Sequence, residues 1–231
     1  MVAVVVKSPR RLKASSSDPS SAVTEEEYHD WYDNDHVPLR IPTSAFQYWS
    51  RWVAVDAQKP AYFALYDVTD IAVVNQPPDR EKDILSRIGL IDRRVYEKVN
   101  VPVRPRKGDA YHVRSLGPFV SPVLVHVPPE FEQDFNNWYN EEHIELLLKA
   151  PQWVRTTRYV YKEGGASGID ESLKPKKVPK YLALHEWTDP SFMEAEEFKK
   201  AVATPWIKQV TQYSTAFDRQ FFKLHRSWER K

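Results

Sequence analysis

The 231-residue chain contains no cysteine. That removes disulfide frameworks, Cys-ligated zinc, iron–sulfur clusters and thiol nucleophiles. It also lacks a charge imbalance: 33 Lys and Arg face 32 Asp and Glu, a net charge of +1. No long-range field therefore selects nucleic acid or another polyanion. Short basic stretches at Arg10–Lys13 and Arg104–Lys107 read as solvated segments. No apolar run approaches the roughly 20 residues of a membrane span. Val2–Val6 is short, and its charges follow it, the reverse of a secretory signal. A cytoplasmic protein without nucleic-acid or membrane partners is expected. Familiar catalytic signatures are missing too. Gly165-Ala166-Ser167-Gly168 lacks the last glycine of a nucleophile elbow, and there is no P-loop, dinucleotide fingerprint or zincin histidine pair. Asp33-Asn34-Asp35 opens like a calcium loop but lacks the glycine and glutamate such a loop needs.

What the chain does have is aromatic rings and a repeat. Glycines number only 6, against 8 Trp, 12 Tyr and 10 Phe. Such rings either fill a core or line a pocket for a flat ligand. Residues 27–39, EYHDWYDNDHVPL, reappear at 134–146 as DFNNWYNEEHIEL. The match sets Trp31 on Trp138, Tyr32 on Tyr139, His36 on His143 and Arg51 on Arg158. Further on, AYFALYDVTD (61–70) meets KYLALHEWTD (180–189), and DRRVYEKV (92–99) meets DRQFFKLH (218–225). Internal similarity of this kind signals a duplicated structural unit.

Each copy has the same predicted order. A short β-branched run comes first, at Ala3–Lys7 or Val123–Val127. The helix bearing the quoted phrase follows. Strands are predicted at Phe46–Val55 and Tyr62–Val68, or at Trp153–Tyr161 and Tyr181–Trp187. A second helix lies near Asp79–Ile88, or runs long near Phe192–Tyr213, and the closing strand is Arg93–Val99 or Arg219–Leu224. This is the β-α-β-β-α-β ferredoxin-like order. The bare face of one such sheet needs cover. Two copies supply it, packed face to face around a barrel-like cavity, an α+β pseudo-dimer. The expected division is residues 1–99 and 122–231, with a Pro-rich linker at 100–121 and loops at Ser15–Ser21 and 162–179.

On a helical wheel, Tyr28, Trp31, Tyr32, Asp35, His36 and Leu39 share one arc, as do Phe135, Trp138, Tyr139, Glu142, His143 and Leu146. A carboxylate on an apolar stripe requires a partner. The twinned strand arginines suggest the structural pairs Asp35–Arg51 and Glu142–Arg158. The histidines fit either a structural role or a pocket rim, where an imidazole works as acid or base.

The paired phrases WYDNDHVPL and WYNEEHIELL, each followed by an aromatic residue (Phe46 or Trp153) and an Arg-bearing strand, resemble the EthD-like family, most closely its tandem members. The resemblance spans roughly residues 1–99 and 122–225. It implies a dimeric α+β barrel fused into one chain, and a cofactor-independent enzyme of secondary metabolism. Acid–base chemistry on a polyketide-like or aromatic small molecule (dehydration, cyclisation or isomerisation) would then fall to His36, His143, His185, Tyr32 and Tyr139. Tyr28, Tyr66, Trp49, Arg51, Arg158 and Trp187 would line the substrate. Tyr66 and His185, which differ between copies, are expected to face the cavity. No metal or other cofactor is expected. The alternatives are a non-catalytic binder, a filled-core interaction protein, or a haem- or metal-dependent relative, the metal held between His36 and His143. A fused pseudo-dimer permits a monomer, while an exposed sheet edge permits a homodimer.

Overall fold

A computed structural model describes residues 11–69, 79–99 and 116–229. The strand expected at Ala3–Lys7 and most of the expected linker lie outside them. The first half contains β1 (Arg11–Asp18), α1 (Glu25–Trp31), β2 (Phe46–Ala54), β3 (Tyr62–Val68), α2 (Asp79–Arg87) and β4 (Leu90–Lys98). The second contains β5 (Phe119–His126), α3 (Glu132–Trp138), α4 (Ile144–Leu147), β6 (Trp153–Ser167) and β7 (Tyr181–Trp187). After these come α5 (Glu196–Ala201), α6 (Pro205–Tyr213), β8 (Ala216–Arg219) and β9 (Phe222–Glu229). No described helix is long and apolar enough to cross a membrane.

The strands form one sheet, ordered β7-β6-β4-β1-β3-β2-β9-β5-β8, and β5 also pairs with β7. The order therefore closes on itself. Each half contributes β2-β3-β1-β4 or its counterpart, and the halves join edge to edge. β4 runs antiparallel to β6, and β9 antiparallel to β2. The halves meet at paired edges as well as at facing inner faces, which removes the exposed strands an open sheet would present.

Strand alternation sorts the side chains into an inside and an outside. Phe63 and Leu65 of β3, Trp52 of β2, Ala14 of β1 and Tyr96 of β4 point inward, with Val120, Leu182, Leu184 and Phe222 of the second half. They fill the barrel. The expected central cavity is reduced to about 80 Å³ near one end, beside Asp92, Arg94 and Gln220. The outer faces carry the helices. Tyr28, Trp31 and Tyr32 pack there on Tyr62, Ala64 and Tyr66. Phe135, Trp138 and Tyr139 pack on Tyr181 and Ala183.

Several boundaries differ from expectation. The first strand of the first half is Arg11–Asp18, through the serines read as a loop. Serine suits this position: Ser17 lies outward and hydrogen-bonds the buried Tyr28 hydroxyl at 2.6 Å. Lys13 is likewise no solvated residue, being only 5% exposed. β5 begins at Phe119, within the expected linker. β6 runs into the expected 162–179 loop as far as Ser167, pairing with β4. Gly164 permits this, since its φ is +115° and a Cβ there would collide with the Arg93 carbonyl. The long second helix of the second half is broken. Thr204 caps α6 by accepting from the Ile207 amide, and Pro205 occupies its first turn. The last strand is split between β8 and β9.

Candidate functional site

The twin phrases begin as α-helices and then change. Thr24 caps α1, and Glu25, Glu26 and Glu27 complement its dipole. At Tyr32–His36 the helix widens into a π-helical turn, and Tyr139–His143 does the same. Such turns are rare, occur mostly singly, and cluster at functional sites. Each adds a residue to the turn and shifts the following inward positions by one. Val37 and Arg40 are therefore buried while Leu39 is 48% exposed, and Leu147 is buried in preference to Leu146. The wheel was correct up to His36 and His143 and wrong beyond them.

The predicted Arg–carboxylate pairs are not formed as drawn. Arg51 donates to Asp33 Oδ1 at 2.5 Å, and its other terminal nitrogen lies 2.9 Å from His29 Nδ1. Arg158 donates to Asn136 Oδ1 at 2.7 Å and Asn140 Oδ1 at 3.3 Å. The partners are the matching positions 29 and 33, 136 and 140, on the flank of the helix. From the sheet, each guanidinium lies over a tyrosine face, 3.9 Å from the Tyr32 centroid and 4.1 Å from that of Tyr139. There it serves as a cation–π clamp, and its nitrogens reach past the ring to the helix flank. Glu142 instead accepts from the capping Thr204 hydroxyl at 2.6 Å, which ties the π turn to α6.

Tyr66 and His185 point outward into the helix–sheet layers, not into the barrel. Along β3, Tyr62, Ala64 and Tyr66 lie on the helix side and Phe63 and Leu65 on the barrel side, so the expectation that Tyr66 faces the cavity is reversed. In the first half, the Tyr66 hydroxyl meets the Tyr32 hydroxyl in a short hydrogen bond and lies 3.1 Å from His36 Nε2. His36 Nδ1 is 3.3 Å from Glu81 Oε2, close to the carboxylate but outside hydrogen-bond geometry. Arg40 donates to Glu81 at 3.1 Å and to the His36 carbonyl at 2.6 Å. Arg93 lies 3.9 Å from Glu81, and the Lys13 ammonium sits 5.6 Å from the Tyr66 ring centroid. Trp49 stacks on Trp228 at the edge of this layer, and Tyr28 on Tyr62.

Burial dominates the electrostatics. It pushes His36 down to about 3, with Arg40 adding to the effect and Glu81 opposing it. Burial alone would raise Glu81, but His36 and Arg40 outweigh it and hold the carboxyl at about 2. Burial raises Tyr66 and lifts Tyr32 well above the ordinary phenol range. It also brings Lys13 down to about 7, helped by Arg93 and Arg40. At neutral pH the layer thus holds a neutral imidazole, two neutral phenols, an ionised Glu81 and a lysine near half-protonation.

The second half is a different environment. Burial takes His143 down to about 4 and His185 well below its usual range. His143 stacks on Trp138 at 4.4 Å, and His185 Nδ1 is 2.8 Å from the Thr156 hydroxyl. His185 also stacks with Tyr139 at 6.3 Å. Around them lie Leu147, Trp153, Trp187, Phe192 and Phe198, an apolar cluster. Leu147 stands where the first half has Arg40.

Among the described residues no group of three or more His, Asp or Glu side chains is placed to hold a metal ion. His36 and His143 lie in separate layers on either side of the barrel and cannot share one. In His36 it is Nε2 that meets the Tyr66 hydroxyl, while Nδ1, near Glu81, makes no hydrogen bond among the described residues. Lys13, Arg40, Glu81 and Arg93 escaped sequence reasoning. Strand alternation, with Leu12 and Ala14 on opposite sides of Lys13, was the signal that could have found the lysine.

No family model matches the sequence, and no curated protein matches it. Solved structures do resemble the fold. An anthrone oxidase-like protein superposes with a TM-score of 0.62 at 9% identity, over 96% of this chain and 94% of its own. A candidate monooxygenase from Fusobacterium nucleatum gives 0.60 at 10% identity, over 96% and 95%. A candidate chlorite dismutase gives 0.57 at 9%, over 94% and 96%. At such identities the shared feature is the architecture: this chain has the ferredoxin-like α+β barrel fold of these proteins.

Proposed function

We propose that this chain is a small-molecule enzyme working by acid–base chemistry in the helix–sheet layer of its first half. Its substrate would be an aromatic or polyketide-like compound, and no cofactor would be needed. The observation that carries this reading is the buried chain Tyr32–Tyr66–His36–Glu81. With Glu81 ionised, His36 carries its proton on Nδ1 and leaves Nε2 to accept from Tyr66. This is the orienting logic of a nucleophile–base–acid triad, with a phenol in the first place. In a dehydration, the Tyr66 oxygen takes the proton next to a substrate carbonyl as its own proton passes to His36 Nε2. The C–H pair forms the new double bond, and the C–O pair leaves with the hydroxyl. The proton returns through Tyr66 to that hydroxyl, which departs as water. Cyclisation and isomerisation begin with the same abstraction. The fold likeness to an anthrone oxidase-like protein recommends hydroxylated polycyclic ketones as test compounds.

The test is a panel of hydroxylated anthrones and related aromatic ketones, followed by mass spectrometry. A loss of water marks dehydration, an unchanged mass marks isomerisation, and a gain of oxygen would point away from this mechanism. Tyr66→Phe should lower turnover on the order of 10²-fold or more, as expected for loss of a positioned acid–base group. Unchanged turnover in Tyr66→Phe would sink the proposal.

A further inference from the structure

The first helix–sheet layer contains more positive charge than it balances. Lys13, Arg40 and Arg93 converge on one carboxylate, Glu81, which is 1% exposed. Arg40 takes up that carboxylate directly, while Arg93 reaches it only at 3.9 Å. Lys13 is 5% exposed and has no carboxylate at ion-pair distance and no hydrogen bond among the described residues. A buried ammonium that shares one carboxylate, Glu81, with two arginines is costly. Lys13 and Arg93 project from adjacent strands onto the same face, since Ser15 is the register partner of Arg93. In the second half Arg219 matches Arg93, but the lysine has no counterpart: Ser121, opposite His185 as Lys13 is opposite Tyr66, donates to the Gln220 carbonyl.

We infer that Lys13 and Arg93 form a subsite for an anionic oxygen of the ligand, a phenolate, carboxylate or enolate, beside the Tyr66 hydroxyl. The inference rests on the acid–base reading above and narrows its substrate to compounds that carry or develop such an oxygen. It also supplies what that mechanism lacks. Burial, with Arg40 and Lys13 adding to it, keeps His36 unprotonated. An anion between Lys13 and Arg93 offsets that field, so His36 becomes a better proton acceptor when substrate is in place. The abstraction leaves an enolate oxygen, the kind of developing charge that fixed cations in a dry site stabilise most.

The experiment is calorimetric titration of the full chain with 1-hydroxy-2-naphthoate and with its neutral amide, 1-hydroxy-2-naphthamide. Wild type should bind the naphthoate at least about tenfold more tightly. At pH 8, binding should draw in part of a proton as Lys13 becomes charged, read from the dependence of the heat on buffer ionisation. Lys13→Met and Arg93→Gln should each weaken the naphthoate by about tenfold or more and leave the amide unchanged. Equal affinity for the two probes, no binding of either, or variants that bind the naphthoate like wild type would overturn the inference. The two readings fail separately. If the subsite fails while Tyr66→Phe still abolishes turnover, the acid–base chemistry stands without it. If the subsite behaves as expected while Tyr66→Phe turns over normally, the chain uses an anion site without that relay.

Discussion

Lys13 illustrates how a single residue separates stability from function. The residue is 5% exposed with its ammonium 5.6 Å from the Tyr66 ring centroid, and burial, helped by Arg93 and Arg40, lowers it from 10.5 to about 7. The unfolded chain keeps the higher value. Between pH 7 and 10.5 the unfolded state therefore binds more protons than the native state, so this residue's contribution to stability rises with pH. Well below pH 7 both states are protonated, and the full cost of a buried charge is present. Lys13→Met keeps the length of the side chain and removes the charge. Its melting temperature should exceed that of wild type at pH 6.5, by an amount that shrinks toward zero near pH 10.5. A gain independent of pH would mean that packing, not charge, sets the effect. Side chains that cost stability and persist are the ones to suspect of function. In the sequence this lysine reads as one of a solvated run beside Arg10 and Arg11, and the alternation of Leu12 and Ala14 around it is the one hint of a strand. Only the pairing of β1 between β3 and β4 places it inside.

At the scale of elements, the π turn decides what the phrase presents. Up to His36 the wheel gave the buried face, because Tyr28, Trp31, Tyr32 and His36 follow α-helical spacing. After it, the extra residue brings Val37 and Arg40 inward, and Arg40 is what fixes Glu81 beside His36. No residue pattern distinguishes this turn from an ordinary helix, since the spacing of the apolar positions changes only after it. Asn34 sits at its exposed centre and bonds only Asp30, at 2.6 Å. Asn34→Ala should leave stability within about 0.5 kcal/mol. Deleting Asn34 should restore α-helical winding and leave His36, Val37 and Arg40 inward, because the deletion moves Arg40 to the wheel position that Leu39 would hold in an unbroken helix. The deletion variant should therefore fold with Arg40 still on Glu81 and melt close to Asn34→Ala. A melting temperature far below that of Asn34→Ala would mean that the widened turn itself holds the layer together. The arginine clamps carry a related lesson. Their twinning was legible in the sequence, but their partners were misplaced because a guanidinium lying over a ring reaches the helix flank, not its centre.

For the whole molecule, the duplication was readable and the manner of closure was not. Matching phrases in the same order, at offsets that grow along the chain, gave the ferredoxin-like order in both copies. They carry no information about edges, which are made of backbone groups common to every sequence. The barrel closes because β4 pairs with β6 and β2 with β9, each time joining one half to the other. Its interior is also shared: Trp52, Phe63 and Tyr96 of the first half pack in one cluster with Leu182, Leu184 and Phe222 of the second. Neither half can satisfy its own edges or its own inner face. The proposed division of the chain can be tested on that basis. Expressed alone, residues 1–110 and residues 111–231 should each aggregate or pair with a second copy to cover the exposed strands. Expressed together, they should form a one-to-one complex with a single cooperative unfolding transition, since backbone pairing and core packing cross the same interface twice. Separate halves that stay monomeric, each melting cooperatively, would show that each holds its own core, and the shared barrel would not be the unit of folding. The same complex isolates the site. Every member of the Tyr32–Tyr66–His36–Glu81 chain comes from the first fragment, so Tyr66→Phe introduced there should abolish turnover while the second fragment serves as the wall that keeps the layer shut.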